Sequence, residues 1–202
     1  MALVERVRPE DLDRPTPCSD WNLAALLAHM TAQHRGFAAA ARGQGASLDQ
    51  WRVRPLDVDP AADYADASEQ VIAAFAHPDT LERIFALPEF GPDVRVPGRQ
   101  AISFHFIDYV VHGWDVARSL SLPFALPVDL LHAAVPVAEF VPDGSSRLSP
   151  GAAFAPRLST PDDDDDPMTR ILTLLGRSPS WEAGREQLHE LRVGAKRGTE
   201  DR

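Results

Sequence analysis

Three things are scarce in this sequence: cysteine, positive charge and long apolar runs. Cys18 is the only cysteine among 202 residues, which excludes an internal disulfide and a zinc site built from thiolates. Lysine and arginine number 20 against 30 acidic residues, and the formal charge of -10 argues against a nucleic-acid partner, because phosphate backbones bind basic surfaces. No apolar run reaches the length of about 18 residues that a membrane span needs, and residues 1–6 show no secretory pattern. These absences predict a cytoplasmic protein without a membrane segment.

The sequence is instead rich in helix signals that proline and glycine interrupt. Apolar residues recur at helical spacing in 21–41, where they form one stripe: Leu23, Leu26, Leu27, Met30, His34 and Phe37. Ser19 or Asp20 is expected to cap this helix. Further helices are predicted at 60–77, 99–120, 128–141 and 168–175, with a kink or break at Pro136 and a short helical turn at 80–85. A strand-like piece is expected at 93–96. The fold class is therefore mainly all-α, with irregular loops and at most a small strand pair.

One helix carries an unusual set of polar residues. Asp108 and His112 are four residues apart, so both side chains lie on one face, and His105 shares that face. Such a face can offer several ligands to one metal ion. An Asp-x-x-x-His pair on a helix is more often a hydrogen-bonded pair at the surface, so the spacing alone leaves both interpretations open. On the first helix, His29 lies at the edge of the apolar stripe, and periodicity favours His34 as its buried histidine.

Two segments resemble motifs of a known family. Residues 15–21 (PTPCSDW), followed by 26–30 (LLAHM), resemble the N-terminal motif of the mycothiol-dependent maleylpyruvate isomerases. Residues 108–118 (DYVVHGWDVAR) resemble the second motif of that family, and 174–177 (LLGR) also fits. The family belongs to the DinB-like superfamily of metal-binding four-helix bundles. The resemblance extends over about 4–179. We expect residues 1–179 to form one domain, with 180–202 as a charged tail or surface helix.

The resemblance implies a metal site and a class of reaction. The three ligands of the family fall on His29, Asp108 and His112. Two histidines and one carboxylate leave a position open for chemistry; zinc is the expected ion, and nickel or another first-row ion could occupy the same ligands. The implied partners are mycothiol, as a low-molecular-weight thiol, and a small electrophilic substrate, which indicates a thiol transferase or isomerase. The alternative is a protein that binds metal on the same scaffold in a non-catalytic or regulatory role.

Two departures from the family pattern are visible. The carboxylate is often Glu in the family and is Asp108 here; because Asp is one methylene shorter, His105 is a candidate substitute or additional ligand. The residues ahead of the first motif are also too few for a full first helix. A shortened first helix leaves an apolar flank, which either the C-terminal segment or a partner chain would cover, and we expect a homodimer.

Other residues are assigned to the surroundings of the site. Asp115 either orients a ligand histidine or pairs with Arg118 at helical spacing. Trp114 and Trp21 are expected in the core or a pocket wall, His34 near the site, and Arg118 in a local basic pocket. Cys18 is interpreted as a small buried residue at the start of the first helix. The acidic run 162–166 is interpreted as a solvated loop.

Overall fold

The computed structural model describes residues 2–18, 21–149, 152–159 and 166–183. Within these ranges the chain forms five α-helices and one pair of strands, which confirms the mainly all-α prediction. In chain order the elements are α1 (Leu23–Ala41), α2 (Pro60–Phe75), β1 (Ile84–Ala86), β2 (Arg95–Pro97), α3 (Gly98–Ser119), α4 (Val128–Phe140) and α5 (Pro167–Leu174). No helix in the described ranges is both long enough and apolar enough to cross a bilayer.

Side-chain caps begin three of these helices. Asn22 caps α1 by accepting a hydrogen bond from the Ala25 backbone N–H, so the expectation of a cap at 19 or 20 is wrong; those two residues lie outside the described ranges. Asp59 caps α2, as the proline at its first position indicates. Asp166 caps α5, while most of the acidic run lies outside the described residues. Helix α4 continues through Pro136, so of the expected kink or break the break is absent, and the kink stays a prediction.

The short helical turn predicted at 80–85 is only partly present: residues 80–82 lie in hydrogen-bonded turns, and a β-hairpin begins at Ile84. Strand β1 pairs antiparallel with β2, with Phe85 opposite Val96. The strand-like piece expected at 93–96 begins two residues later and ends one residue later, at Arg95–Pro97. Phe85 is fully buried against α1 and α3, and this tertiary contact overrides the weak local helix signal. The hairpin runs directly into α3 through Gly98, where a Cβ atom would lie 1.9 Å from the Thr80 carbonyl oxygen.

The helices pack in two groups that share α3. Helix α1 packs against α2 and α3, and α4 packs against α3 and α5. One buried cluster joins Leu26, Met30 and Tyr64 to Val116 of α3, and another joins Val111 of α3 to the last helices. Helix α3 is therefore held on both sides, which fixes the side chains that it directs toward α1.

The segment before α1 contains two single turns of 3-10 helix, Val4–Arg6 and Pro9–Asp11. This agrees with the predicted shortening of the first helix. The expected domain boundary near residue 179 stays a prediction, because residues 184–202 lie outside the described ranges.

Candidate metal centre

The packing of α1 on α3 brings together His29, Asp108 and His112. Each residue offers one ligand atom, and these three atoms lie within 4.8 Å of one another. The His29 and His112 rings meet edge to face, with centroids 5.3 Å apart. Asp108 and His112 converge because they are one turn apart on α3, while His29 comes from the facing helix. Two histidine nitrogens and one carboxylate oxygen form a donor set suited to a first-row divalent ion.

Asp108 gives the clearest sign that a cation fits between these residues. Its Oδ1 lies 3.2 Å from His112 Nε2, whereas its Oδ2 is buried and has no hydrogen-bond partner among the described residues. A buried carboxylate oxygen without a partner is costly, and a bound cation would remove that cost. His29, Asp108 and His112 therefore fit a first-row divalent ion.

His112 lies between two carboxylates. Its Nδ1 is 2.9 Å from Oδ2 of Asp115, and this contact turns Nε2 toward Asp108. Burial acts to lower the pKa of His112, but Asp108 and Asp115 together raise that pKa to about 9. Burial likewise opposes ionisation of Asp108, yet His112 and the neighbouring histidines lower the pKa of Asp108 to about 2. The pair is thus ionic, and a divalent cation would take the place of the proton on Nε2.

The three candidate ligands His29, Asp108 and His112 are called the trio below, and His29 is its neutral member. Burial lowers its pKa to about 4, Asp108 opposes this effect, and His112 and Arg177 add to it. A neutral imidazole is the form that binds metal, so no proton has to leave His29 at neutral pH. The Trp21 ring packs on the His29 ring at a centroid distance of 4.5 Å and also lies near His112, at 6.0 Å. Trp21 is therefore a wall of the site.

His105 lies outside this cluster and pairs with His34. The His34 Nδ1 and His105 Nε2 atoms are 3.1 Å apart, and the Tyr109 ring stacks on both imidazoles. Tyr109 donates its hydroxyl hydrogen to the Met30 carbonyl oxygen. Burial lowers the pKa of His34 to about 3 and that of His105 to about 4. The structure therefore brings the two residues together as a buried neutral pair beside the site, and it confirms the burial of His34 that periodicity favoured.

Asp115 was expected either to contact a ligand histidine or to pair with Arg118. This fully buried carboxylate contacts His112 and, at 3.2 Å, the Arg177 guanidinium. Arg118 instead donates to the Pro179 carbonyl oxygen and lies 5.5 Å from the centroid of the buried Trp114 ring. Asp115 therefore contacts His112 and Arg177, while Arg118 and Trp114 contact each other and Arg118 bonds to the C-terminal segment.

Two residues near the site were missed by sequence reasoning. Arg177 is 3% exposed and donates to Asp115 and to Cys18 Sγ, both at 3.2 Å. Cys18 itself is only partly buried. Glu89 accepts a hydrogen bond of 2.7 Å from Gln33, which lies one turn after His29. Burial raises the pKa of Glu89, and the charge of Asp108 adds to that rise. The available signals were a lone arginine ending an apolar run and a glutamate in a proline-rich loop.

A helical domain that directs two histidines and a carboxylate from two packed helices toward one point has the donor arrangement of a candidate metal site in a helical bundle. Comparison of the sequence with known families agrees: the family described as mycothiol maleylpyruvate isomerase N-terminal domain matches residues 1–117, a range that contains the whole trio. The chain belongs to this family.

Two relatives come from Mycobacterium tuberculosis. They are uncharacterized protein MT0763 of strain CDC 1551 and uncharacterized protein Rv0738 of strain H37Rv. Each is 29% identical over 186 residues, which cover 88% of this chain and 91% of the relative. No solved structure gives a significant match.

Proposed function

We propose that this protein binds one divalent first-row ion, with zinc expected, through His29, Asp108 and His112. The observation that carries the proposal is the convergence of three donor atoms within 4.8 Å around a carboxylate oxygen that is buried without a partner. Asp115 supports the site because its bond to Nδ1 leaves Nε2 of His112 free to face the ion. Nickel or another first-row ion would fit the same donors.

The proposed reaction is the transfer of a low-molecular-weight thiol, or an isomerisation that uses it, on a small electrophile. Membership of the family points to mycothiol as the thiol. A bound divalent ion would supply thiolate at neutral pH by lowering the pKa of a coordinated thiol. The residues of the chain hold the site: His29 stays neutral, Asp115 orients His112, and Trp21 covers the two imidazoles. Glu89, an exposed carboxylate that accepts a hydrogen bond from Gln33 and interacts electrostatically with Asp108, is the group proposed to accept or return a proton.

Cobalt substitution tests the metal and the thiol separately. Wild-type protein loaded with cobalt should hold about one ion per chain, and adding mycothiol should produce a thiolate-to-cobalt charge-transfer band. His112→Ala should lose stoichiometric metal, while His132→Ala, which removes an exposed histidine of α4, should keep it. Full metal content in His112→Ala overturns the site. Bound cobalt without a band at saturating mycothiol overturns the thiol reaction and leaves the non-catalytic, metal-binding alternative.

We also propose that the chain forms a twofold dimer. Helix α4 exposes Val128, Leu130 and Phe140, with 62%, 41% and 70% of their surface accessible, and association would cover such apolar groups. Light scattering at micromolar concentration should give twice the chain mass, and a monomer would contradict the proposal. The cytoplasmic location expected from the sequence stays a prediction.

A further inference from the structure

The contact between Arg177 and Asp115 places a positive charge behind the candidate metal ligands. Arg177 follows α5, and its guanidinium reaches a carboxylate that is itself bonded to His112. Asp115 is fully buried and Arg177 is 3% exposed, so little water screens this interaction. One amino group of the guanidinium also donates to the Leu175 carbonyl oxygen, which fixes its position. A guanidinium does not lose its proton in proteins, so this charge is permanent.

The formal charges of the ion, its ligands and the residues bonded to them can be added up. A divalent ion brings two positive charges, and Asp108 and Asp115 together cancel them, because ligand histidines are neutral. Apart from Cys18, whose Sγ accepts a hydrogen bond from Arg177 at 3.2 Å and is left out of this count, Arg177 then leaves one positive charge in excess within a largely buried network. A buried net charge is costly, and a ligand that brings one negative charge to the open metal position would neutralise it. Without Arg177 the same network would be neutral before any such ligand binds.

We infer that Arg177 is a specificity-determining residue that makes the open metal position favour an anionic ligand, a thiolate, over a neutral one. This inference rests on the proposed function, because it needs a metal held by the trio. Arg177 acts through Asp115 and His112 and does not itself have to touch the thiol. The neutral form of the ligand gains nothing from the arginine, so the effect is selective for charge.

The test compares an anionic and a neutral ligand on the cobalt-loaded protein. The dissociation constant of 2-mercaptoethanol, which binds as thiolate, is measured from the charge-transfer band, and that of imidazole from the d–d bands. In Arg177→Met the thiol should bind about tenfold more weakly, a change of about 1.4 kcal/mol, while the affinity for imidazole stays within about twofold. Arg177→Lys, which keeps the charge, should restore most of the thiol affinity. Cobalt itself should bind Arg177→Met at least as tightly as it binds the wild type, because a repelling cation is gone.

Two controls separate charge from structural damage. Arg147→Met removes another buried arginine, one that binds backbone carbonyl oxygens including that of Leu174, and it should leave both ligand affinities unchanged. If Arg177→Met does not fold, Asp115→Asn serves as the second variant: it removes a negative charge, so thiol affinity should rise at saturating cobalt.

The outcomes distinguish this inference from the proposed function. Unchanged thiol affinity in Arg177→Met, or equal weakening of imidazole and thiol, overturns the inference alone; so does unchanged or weaker thiol binding in Asp115→Asn. Failure of the wild type to bind cobalt, or to give the thiolate band, overturns the proposed function and this inference with it.

Discussion

At the scale of single residues, Asp108 is the candidate ligand whose contacts say most about the site. One of its oxygens lies 3.2 Å from His112, and the other is buried without a partner in the described part of the chain. The shorter carboxylate, compared with the glutamate often found in the family, still reaches the histidines because α1 and α3 pack directly on each other. His105 is therefore not required as a substitute ligand, and it pairs with His34 instead.

Replacing Asp108 by Asn tests this directly. The amide keeps the shape and removes the charge, so metal affinity should fall by at least about tenfold, or about 1.4 kcal/mol. Competition with a chromophoric chelator measures the change. His105→Ala is the matched control and should keep wild-type affinity. If the Asn variant binds metal normally while His105→Ala does not, then His105 is the third ligand.

Glu89 gives a second prediction at this scale. Glu89 is an exposed residue, but its carboxylate accepts a hydrogen bond from Gln33, and loss of hydration together with the charge of Asp108 raises its pKa, which favours a role in proton transfer. Glu89→Gln should lower thiol-transfer turnover at least about tenfold and leave metal content unchanged. Glu82→Gln, which alters an exposed glutamate paired with Arg99, should be neutral. Normal turnover in Glu89→Gln would remove Glu89 from the reaction.

The residues of the trio could be predicted from the sequence only in part. Helical spacing joins Asp108 and His112, but nothing local links them to His29, and periodicity alone favours His34. The resemblance to the family supplied His29. The segment 174–177 was noted for its resemblance to the family, but the contact of Arg177 with Asp115, 62 positions away, could not be inferred from it. Long-range contacts of this kind leave no periodic pattern to detect.

At the scale of elements, the helices and the presence of a small strand pair were predicted, but the first strand of the hairpin was not placed. Caps, prolines and a regular apolar period mark α1, α2, α3 and α5 in the sequence. Strands β1 and β2 have three residues each, which is too short to show a period. They form because Phe85 inserts into the core and because the chain must turn tightly into α3. Gly98, at the start of α3, makes that close approach possible.

The turn into α3 can be tested by adding one methyl group. Gly98→Ala would place a Cβ atom 1.9 Å from the Thr80 carbonyl oxygen, so the backbone must shift. We expect the free energy of unfolding to fall by about 2 kcal/mol, a typical cost of overpacking. Gly144→Ala is the matched control, since nothing lies within 4 Å of its added Cβ. Denaturant unfolding measures both; equal stability of the two variants would show that the hairpin adapts freely.

At the scale of the whole molecule, the site joins parts of the chain that fold in different clusters. His29 belongs to α1, His112 to α3, and Arg177 to the segment after α5. The two packing groups meet at α3, so the charged network crosses the boundary between them. Folding and the ionisation of these buried groups are consequently linked, and stability should depend on pH in a way that the individual pKa shifts determine.

The acid side of that dependence follows from the neutral histidines. Burial lowers the pKa of His29, His34 and His105 to about 4, 3 and 4, from 6.5. Below pH 6.5 these histidines bind protons in the unfolded chain but stay neutral in the folded one. The free energy of unfolding therefore falls as pH drops toward 4. Each such proton costs about 1.4 kcal/mol per pH unit. Asp108, whose pKa is lowered from 3.8 to about 2, adds stability above pH 3.8 that is lost below it.

The loss of stability at alkaline pH comes from a histidine whose pKa is raised in the folded protein. The pKa of His112 is raised from 6.5 to about 9, so its contribution is complete below pH 6.5 and is lost as pH rises to 9. Urea unfolding in the presence of a chelator should therefore show maximal stability near pH 6.5, with losses on both sides. His112→Gln should flatten the alkaline side and keep the loss that the neutral histidines cause as pH falls from 6.5 toward 4, while the contribution of Asp108 below pH 3.8 shrinks with its partner gone. Saturating zinc should also abolish the alkaline loss, because Nε2 then holds metal in place of a proton. Stability that stays constant from pH 6.5 to 9 in the chelated wild type would show that His112 is neutral in the folded protein and that Asp108 is not its ion-pair partner.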